Sequence, residues 1–436
     1  MRLCKKLQGR QLLKQEIPSS LWKQLKKEHT VKKVNAMTSR KKDIICRRCG
    51  HINSKASCQI ETGFYCEYCL NMGRVTSNDY LYRIPKIHQE KAKKTRCFWQ
   101  GKLTTQQARI SQEIVDSYHH KRHHFVHAVT GAGKTEMLFP LIQQVLTDGK
   151  VIGIATPRID VCLELYPRME AAFQDTEINL LYGHSSQTYN GASFIICTTH
   201  QLMRFYHYFD VLVIDEADAF PYVYSDELQY AAKQALEKKG CFVFLTATSN
   251  QGLEKYPNTQ KSILARRFHG KDLPVPTTVY CRHLAINLRQ GKLPKKMLIE
   301  IEESQQSYIL FFPDIALMSI VYPIIKETCR KKRVAMVHAS SKDREKVVKQ
   351  MREGEIDLLL STTILERGVT FKNISVMVVC ADHRVYNRAS LVQIAGRVGR
   401  NLDYPTGKVI FLHEGKNQAI ISAIKEIKYM NKEANK

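Results

Sequence analysis

The sequence has no long hydrophobic run. Within its 436 residues, no apolar stretch approaches the roughly 18 residues that a membrane-spanning helix needs. Residues 1–18 carry too many charges for a signal peptide. Internal repeats and low-complexity tracts are also missing. A hydrophobic fraction of 44% with 25% charged residues is typical of a soluble globular protein. We therefore expect a cytosolic protein with two or three domains.

Acidic residues are scarce relative to basic ones. The chain has 67 Lys and Arg against 41 Asp and Glu, which gives a net charge of +26. Residues 1–100 hold 23 Lys and Arg against 7 Asp and Glu, so 16 of the 26 excess charges lie there. A basic region of this kind attracts polyanions, either nucleic acid or anionic lipid.

The 13 cysteines come without secretory features, which favours reduced thiols or metal ligands over disulfides. Two Cys-x₂-Cys pairs, Cys46 with Cys49 and Cys66 with Cys69, are separated by sixteen residues. Each tight turn aims two thiolates at one tetrahedral ion, so the spacing predicts a structural zinc site. Cys58 lies between the pairs and is the one rival ligand.

Residues 125–136 combine a short apolar strand, a loop with two glycines and the start of a helix. This order is typical of the phosphate-binding loop of P-loop NTPases. Because Gly131 and Gly133 lack Cβ atoms, the backbone N–H groups can close around phosphate oxygens. Lys134 is expected to contact the β- and γ-phosphates, and the Thr135 hydroxyl to ligate Mg²⁺. The predicted ATP-binding residues of the loop are Thr130, Gly131, Ala132, Gly133, Lys134, Thr135 and Glu136.

Two patterns ahead of this loop each have two interpretations. Gln107 could contact adenine, or Thr104 or Thr105 could simply cap an ordinary helix over about 106–119. Four histidines follow at His119, His120, His123 and His124. Their i, i+4 spacing occurs in metal sites, but no supporting carboxylates follow them, so a solvated basic helix end is favoured.

After the loop, strand and helix patterns alternate. Strands are predicted at 151–155, 194–198, 211–214 and 241–245, and one of the helices at 226–239, ended by Gly240. Function in such parallel sheets gathers beyond the carboxyl ends of the strands. Asp215 and Glu216 follow the third strand in the Walker B arrangement. Asp215 would hold Mg²⁺, and Glu216 would position and deprotonate the attacking water.

A second alternating series follows a proline-containing, charged stretch at 252–300, which marks a lobe boundary. Its strands are predicted at 308–312, 334–338, 356–360, 376–380 and 409–412. This lobe has no phosphate-binding loop of its own. Segment 393–400 places Arg397 and Arg400 three residues apart, on one helix face, from which they could contact a γ-phosphate. The alternative is that both arginines contact a nucleic-acid backbone.

The ordered set of motifs resembles superfamily 2 helicases and translocases. It comprises Gln107, the phosphate-binding loop and the segments 156–158, 198–200, 215–218, 246–248, 361–369 and 393–400. The resemblance implies two RecA-like lobes with ATP in the cleft and a nucleic-acid strand across both. It implies six catalytic residues, Lys134, Asp215, Glu216, Gln393, Arg397 and Arg400. It also implies phosphate contacts from Thr156, Arg158, Thr198, Thr199, Thr362 and Arg367, although the threonines could equally be helix caps.

Within that superfamily, the four-cysteine module ahead of the motor and segments 198–206 and 215–222 resemble the ComFA family of bacterial competence proteins. The resemblance implies ATP-driven import of single-stranded DNA at the cytoplasmic face of the membrane. Its implied partners are the membrane DNA-uptake channel and other competence proteins, and homo-oligomerisation is left open. The alternatives are a replication-restart DNA helicase, an RNA helicase, or a DNA-binding scaffold with a vestigial ATPase.

The expected fold is therefore α/β, with two tandem RecA-like lobes after a small zinc module. The predicted divisions are a basic, partly ordered arm at 1–42, the zinc module at 43–75, a basic connector at 76–97, lobe 1 at 98–280 and lobe 2 at 281–436. The predicted cofactors are ATP, Mg²⁺ and structural Zn²⁺.

Overall fold

The computed structural model describes residues 5–25, 30–87, 95–183, 185, 187–249, 251–254, 256–366 and 371–436. The chain divides into two compact units, Met1–Val126 with Lys134–Ile263, and His127–Gly133 with Leu264–Lys436. The change from one unit to the other near residue 264 precedes the expected start of lobe 2 at 281. The reason is that residues just after the strand Thr259–Leu264 bond to the second unit: Arg267 donates to the Val398 carbonyl, and the Leu273 N–H donates to Asn431 Oδ1.

The N-terminal part of the first unit contains more regular structure than the sequence predicts. Its strands are β1 (Gln11–Leu12), β2 (Lys32–Asn35), β3 (Met37–Ser39), β4 (Asp43–Cys46), β5 (Ile52–Ser54), β6 (Gln59–Ile60), β7 (Gly63–Phe64) and β8 (Tyr80–Arg83). A helix spans Ser19–Leu25, and 3₁₀ turns span Lys14–Glu16 and Leu70–Met72. The sheets are β1-β8-β2, β3-β4-β5 and β6-β7.

Strand β8 explains why the N-terminal arm is structured. It comes from the predicted connector and pairs antiparallel with both β1 and β2. Leu7, Leu12 and Leu25, which have no clear period in the sequence, meet Ile17 and Ile84 in a small core. The arm and the connector therefore fold together around the cysteine module.

The first large sheet has seven strands. They are β9 (His123–Ala128), β10 (Ile152–Thr156), β11 (Ile178–Leu181), β12 (Phe194–Thr198), β13 (Phe209–Ile214), β14 (Leu236–Thr246) and β15 (Thr259–Leu264), in the order β11-β12-β10-β13-β14-β9-β15. The run from β11 to β14 is parallel. The helices of this unit are Thr105–His119, Lys134–Met137, Phe139–Thr147, Ile159–Ala172, Asp226–Ala235 and Gln251–Glu254, with 3₁₀ turns at Thr199–Arg204 and Tyr222–Tyr224.

The predicted strands of this sheet are confirmed to within a few residues, but one predicted helix is too long. The helix that begins at Asp226 ends at Ala235, and Leu236 already pairs with Phe209 in β14. Gly240 does not end the helix. A Cβ there would lie 2.8 Å from the Asp210 carbonyl oxygen, so a close approach between strands requires the glycine.

The second large sheet has six strands, and all of its neighbouring pairs are parallel. They are β16 (Thr277–Tyr280), β17 (Ser307–Phe311), β18 (Val334–Val337), β19 (Leu358–Ser361), β20 (Ile374–Val378) and β21 (Val409–His413), in the order β16-β21-β20-β17-β19-β18. The helices are Leu284–Arg289, Lys295–Glu303, Ile315–Thr328, Arg344–Arg352, Arg388–Ala395 and Gln418–Ala434, with a 3₁₀ turn at Thr363–Leu365. The five predicted strands are confirmed, and β16 was missed because it is a short run after two prolines.

No helix among the described residues combines the length and hydropathy needed to cross a bilayer.

Candidate functional site

The loop after β9 has the backbone conformation that its glycine pattern predicts. Gly131 and Gly133 have φ angles of 77° and 72°, in the left-handed region where glycine is favoured. Strand β9 is buried over all but its first residue, which fixes the position of the loop. The helix that follows begins at Lys134. The structure therefore places Thr130, Gly131, Ala132 and Gly133 in a tight turn after a buried strand, and Lys134, Thr135 and Glu136 at the start of the helix that follows.

Asp215 follows β13 and is close enough to Lys134 to interact with it electrostatically. Burial raises the pKa of Asp215 to about 6, because a carboxylate is less well solvated inside the protein, while the Lys134 charge acts in the opposite direction. The carboxylate is thus ionised at neutral pH. Carboxylate oxygens are the ligands that Mg²⁺ prefers, so Asp215 fits the predicted metal role.

Glu216 has a φ of 53°, an unusual conformation for a residue other than glycine. Its N–H donates to Asp215 Oδ1 at 2.9 Å, and the Asp215 N–H donates to the Ala155 carbonyl of β10 at 2.9 Å. Strained backbone of this kind clusters at functional sites. The two carboxylates are therefore held by main-chain bonds at the carboxyl end of the sheet.

Asp218 and Thr248 connect two motifs. The Thr248 hydroxyl donates to Asp218 Oδ2 at 2.7 Å, and both residues are buried. This bond joins the Asp-Glu-Ala-Asp segment to the Thr246–Thr248 segment after β14. The sequence singles out both segments, but spacing alone gives no sign of the bond, because thirty residues separate its partners.

Several buried hydroxyls lie at or just beyond the carboxyl ends of the first sheet's strands without a protein partner. Among the described residues these are Thr130, Thr156, Thr199 and Thr246. An unsatisfied buried hydroxyl costs free energy, so such groups indicate sites for a ligand or water. Thr156, Thr199 and Thr246 follow or end parallel strands, so they lie at one edge of the sheet, as a phosphate-binding surface requires.

The predicted nucleic-acid contacts divide into three groups. Thr198 and Thr362 precede 3₁₀ turns but make no side-chain capping bond, so capping does not account for their hydroxyls. Arg158 precedes the helix Ile159–Ala172, and its Nη1 is buried without a partner. Arg367 lies outside the described residues.

Gln107 forms a helix cap. Its side-chain oxygen accepts from the Thr104 N–H at 2.8 Å, and its own N–H donates to the Thr104 hydroxyl at 3.3 Å. This reciprocal capping box begins the helix Thr105–His119. Gln107 therefore takes part in capping its helix, and its contact with adenine stays a prediction.

Arg397 and Arg400 do not share a helix face as predicted. The helix Arg388–Ala395, which contains buried Gln393, ends before them, and Gly399 has a φ of 67°. Glycines at 396 and 399 favour this early ending. Arg397 is buried and its Nε donates to the Glu366 carbonyl at 3.1 Å, whereas Arg400 is half-buried and its Nε donates to the Gly396 carbonyl at 2.9 Å.

Arg267 is hydrogen-bonded to this turn, and no sequence motif predicted it. Its Nη1 donates to the carbonyls of Val398 and Gly399 at 2.7 Å each, and its Nη2 to that of Gly396 at 3.3 Å. Burial lowers the pKa of Arg267 to about 9, with a further contribution from the charge of Arg400. No sequence signal marks it, because its partners lie about 130 residues away.

The same unit also contains residues 127–133 of the phosphate-binding loop. A Cβ added at Gly131 would lie 3.8 Å from Cγ of Arg400, and one at Gly396 would lie only 1.8 Å from the Thr130 hydroxyl oxygen. Position 396 therefore tolerates no side chain. Arg400 lies beside the loop, as a contact with ATP phosphate would require.

The four predicted zinc ligands form one buried cluster. Their sulfur atoms all lie within 4.8 Å of one another, with Cys46 and Cys69 3.9 Å apart and Cys49 and Cys66 3.6 Å apart. Four thiolates at the usual Zn–S distance of about 2.3 Å lie about 3.8 Å from each other in a tetrahedron. The geometry therefore fits zinc, and Cys58 is buried but outside the cluster.

The histidines are structural. His124 lies between the hydroxyls of Ser117 and Ser262, 2.8 Å from each, and His123 Nδ1 accepts from the Phe242 N–H at 2.9 Å. Among the described residues, the four cysteines are the one group arranged to hold a metal ion. The favoured interpretation of a solvated basic helix end is wrong for His123 and His124, because both belong to β9 and His124 is fully buried.

Comparison with known families identifies three domains. Residues 104–256 match the DEAD/DEAH box helicase family, residues 292–402 match the helicase conserved C-terminal domain, and residues 1–83 match the competence protein ComFA N-terminal domain. The first two matches agree with the nucleic-acid-dependent ATPase that the motifs predict.

Curated relatives match nearly the whole chain. It is 39% identical over 408 residues to competence protein ComFA of Streptococcus pneumoniae, with 92% of this chain and 94% of that protein covered. It is 38% identical over 413 residues to competence protein ComFA of Bacillus subtilis, with 92% and 89% covered.

A solved structure shares the fold at low identity. The structure of S. cerevisiae Dbp5 bound to RNA and ADP BeF3 matches with a TM-score of 0.54 and 16% identity, covering 71% of this chain and 83% of that one. The expected fold of two RecA-like helicase lobes is thereby confirmed.

Proposed function

Because the chain belongs to the ComFA family of competence proteins, we propose that it is an ATP-driven translocase that moves single-stranded DNA into the cytoplasm during natural competence. The observation that carries this proposal is the interaction of Lys134 with buried Asp215 at a sheet edge where several hydroxyls lack protein partners. That edge offers a cation, a metal ligand and hydrogen-bond donors to a nucleotide.

Each residue at this edge has a proposed role in ATP hydrolysis. The amides of the loop and Lys134 bind the β- and γ-phosphates, while Thr135 and Asp215 would hold Mg²⁺, which neutralises charge on those phosphates. Glu216 orients the attacking water and accepts its proton. Gln107 is proposed to contact adenine in addition to capping its helix, and Gln393 to support the nucleotide.

Arg400 and Arg397 are proposed to contact the γ-phosphate as charge develops during hydrolysis. Arg400 lies beside Gly131 of the loop. Its guanidinium is fixed at one end by the bond from Nε to Gly396. Because little of the group needs to be reordered on binding, more of its interaction can favour the transition state.

The DNA strand is proposed to be held by its phosphates. Thr156, Arg158, Thr198, Thr199, Thr362 and Arg367 are the proposed contacts of the motor. The N-terminal region adds exposed cations, including Lys32, Lys33, Arg40, Lys41 and Lys42. Phosphate contacts of this kind give affinity without reading sequence, which suits a motor that moves along any DNA.

The proposed place of action is the cytoplasmic face of the membrane, at the DNA-uptake channel and together with other competence proteins. This assignment follows from the family.

The test compares ATP hydrolysis with single-stranded DNA, duplex DNA and RNA at one fixed salt concentration, because salt alone changes such affinities strongly. We expect single-stranded DNA to stimulate hydrolysis most. Stimulation by RNA alone would indicate an RNA helicase, and stimulation by forked duplex alone would favour a replication-restart role. Absence of turnover under all conditions would favour a DNA-binding scaffold.

A further inference from the structure

The four-cysteine cluster shares a hydrophobic core with the first large sheet. The buried ligand cysteines, Tyr222 and Leu228 belong to one cluster of packed side chains, within one compact unit. Tyr222 and Leu228 lie just after the Asp-Glu-Ala-Asp segment. The cysteine module is therefore part of the motor's first lobe and not a separate finger.

Residues 9–11 of the N-terminal region contact the carboxyl end of the 3₁₀ turn Thr199–Arg204. The Gln11 side-chain amide donates to the Met203 carbonyl at 3.1 Å, and the Tyr206 N–H donates to the Gly9 carbonyl at 2.8 Å. The Arg10 guanidinium lies 4.6 Å from the centre of the Phe205 ring. The turn begins at Thr199, a proposed DNA contact, so these bonds support it from the side of the cysteine module.

Glu16 connects that turn to the cysteine cluster. Its Oε1 accepts from Arg204 Nε at 3.0 Å and from Arg48 Nη1 at 3.4 Å. Arg48 is fully buried, and its Nε donates to Cys69 Sγ at 3.4 Å. Arg204 also donates to the Met72 carbonyl at 3.2 Å. A continuous chain of charge-assisted bonds thus runs from a zinc ligand, through Arg48 and Glu16, to Arg204.

A second set of contacts joins the cluster to the helix Asp226–Ala235. His51 Nδ1 lies 2.7 Å from Glu227 Oε1, and the hydroxyls of Tyr68 and Ser225 are hydrogen-bonded at 2.8 Å. The Ser225 hydroxyl also caps the helix by accepting from the Leu228 N–H. The module therefore contacts the segments that follow both Thr199 and Asp215.

We infer that Glu16 is a positioning residue: through its bonds to Arg48 and Arg204, it lets the cysteine cluster hold the turn that begins at Thr199 in place. DNA then stimulates ATP hydrolysis fully only when this bridge of hydrogen bonds is intact. The inference rests on the proposed function. Most of the bridge is desolvated: the side chains of Arg48 and Glu16 are 0% and 12% exposed. Removing one partner of such a pair leaves a buried charge unpaired, unlike at an exposed pair.

The test uses the full-length protein with its zinc retained. Glu16→Gln removes the charge but keeps an oxygen for the Leu13 N–H, which Glu16 Oε2 accepts at 2.9 Å. Arg204→Lys keeps the charge but loses the fork of donors. Glu61→Gln is the matched control, because Glu61 is an exposed carboxylate of the same region.

For Glu16→Gln and Arg204→Lys we expect the ratio of DNA-stimulated to DNA-free hydrolysis, at saturating DNA, to fall about tenfold, as loss of a charge-assisted bond would give. The DNA-free rate should stay within about twofold of the wild type. In the double variant this ratio should be no lower than in either single variant, because each single change already breaks the same bridge. Glu61→Gln should behave as the wild type.

An unchanged stimulation ratio in Arg204→Lys would overturn the inference, as would a parallel loss of DNA-free hydrolysis, which indicates a general loss of structure. Additive effects in the double variant would also overturn it. These results differ from failure of the proposed function, which would appear as a lack of DNA stimulation in the wild-type protein.

Discussion

Both large sheets contain a run of parallel strands, but the loops after β9 and β17 differ in how they lead into the next helix. After β9, two glycines with positive φ open a loop in which the Thr130 hydroxyl has no protein partner. After β17, Asp314 caps the helix Ile315–Thr328 by accepting from the Leu317 N–H at 2.7 Å. In the second sheet a side chain caps the helix that follows the strand, whereas in the first a glycine-containing turn leads into the helix.

The charged groups differ in the same way. At the edge of the first sheet, burial raises the pKa of Asp215, while the nearby charge of Lys134 lowers it. In the second unit, Arg267, Arg397 and Arg400 donate to main-chain carbonyls. The first sheet therefore carries the proposed nucleotide site, and in the second unit main-chain carbonyls accept hydrogen bonds from the guanidinium groups.

Lys134→Ala should lower ATP hydrolysis to the background rate. The variant loses the cation that contacts the phosphates and leaves Asp215 without its nearby positive charge. Binding of single-stranded DNA should persist, because the proposed DNA contacts are other residues. ATPase assays and filter-binding titrations measure the two effects, with Lys102→Ala, an exposed lysine, as the control. An equal loss of DNA affinity would show that nucleotide and DNA share this lysine.

Arg400→Ala should lower kcat by about 10³-fold while ATP affinity changes little, because the arginine acts chiefly on the transition state. Arg400→Lys should restore little activity, since an ammonium cannot replace the planar fork of donors. Arg384→Ala, which removes an exposed arginine of the same unit, is the control. Normal hydrolysis by Arg400→Ala at saturating DNA would instead make Arg400 a DNA contact.

Cys46→Ser, Cys49→Ser, Cys66→Ser and Cys69→Ser should each lose the single zinc ion, whereas Cys58→Ser should keep it. The four sulfurs lie within 4.8 Å of one another, and Cys58 is not among them. Losing zinc should also lower the free energy of unfolding of the first unit, because metal binding and folding are coupled. Metal analysis and thermal melting measure both. Loss of zinc in Cys58→Ser would show that a fifth thiol takes part.

Features that depend on local spacing could be predicted from the sequence. The glycine loop, the Asp215–Glu216 pair and the four cysteines each lie within a short segment, so residue type and spacing define them. The helix end at Ala395 shows the limit of this reasoning, because a regular pattern alone did not reveal the turn beyond it.

The missed features depend on contacts between distant residues. Arg267 bonds to carbonyls about 130 residues away, and Glu16 to Arg204 at a separation of 188. Strand β8 pairs with β1 from a segment that reads as a charged connector. A local sequence pattern cannot predict such partners, because they come together only through tertiary packing.

The last prediction concerns the amino end of β9, opposite the phosphate-binding loop. Burial lowers the pKa of His124 to about 4, with the charges of Glu113 and Arg122 acting in opposite directions. A histidine in the unfolded chain titrates near 6.5, so the unfolded state binds more protons between about pH 4 and 6.5. The free energy of unfolding should therefore fall as the pH is lowered through this window, by about 3 kcal/mol at most.

His124→Gln should flatten this dependence because glutamine does not titrate. Denaturant unfolding of both proteins at pH 7 and pH 5 measures it, and the wild type should lose more stability than the variant. At pH 7 the variant should hydrolyse ATP at the wild-type rate if it is folded, since His124 is bonded to Ser117 and Ser262 and not to the loop. Equal pH dependence would contradict the titration of His124. A folded variant with reduced hydrolysis would show that the two ends of β9 are coupled, and the division between a stabilising end and a catalytic end would then fail.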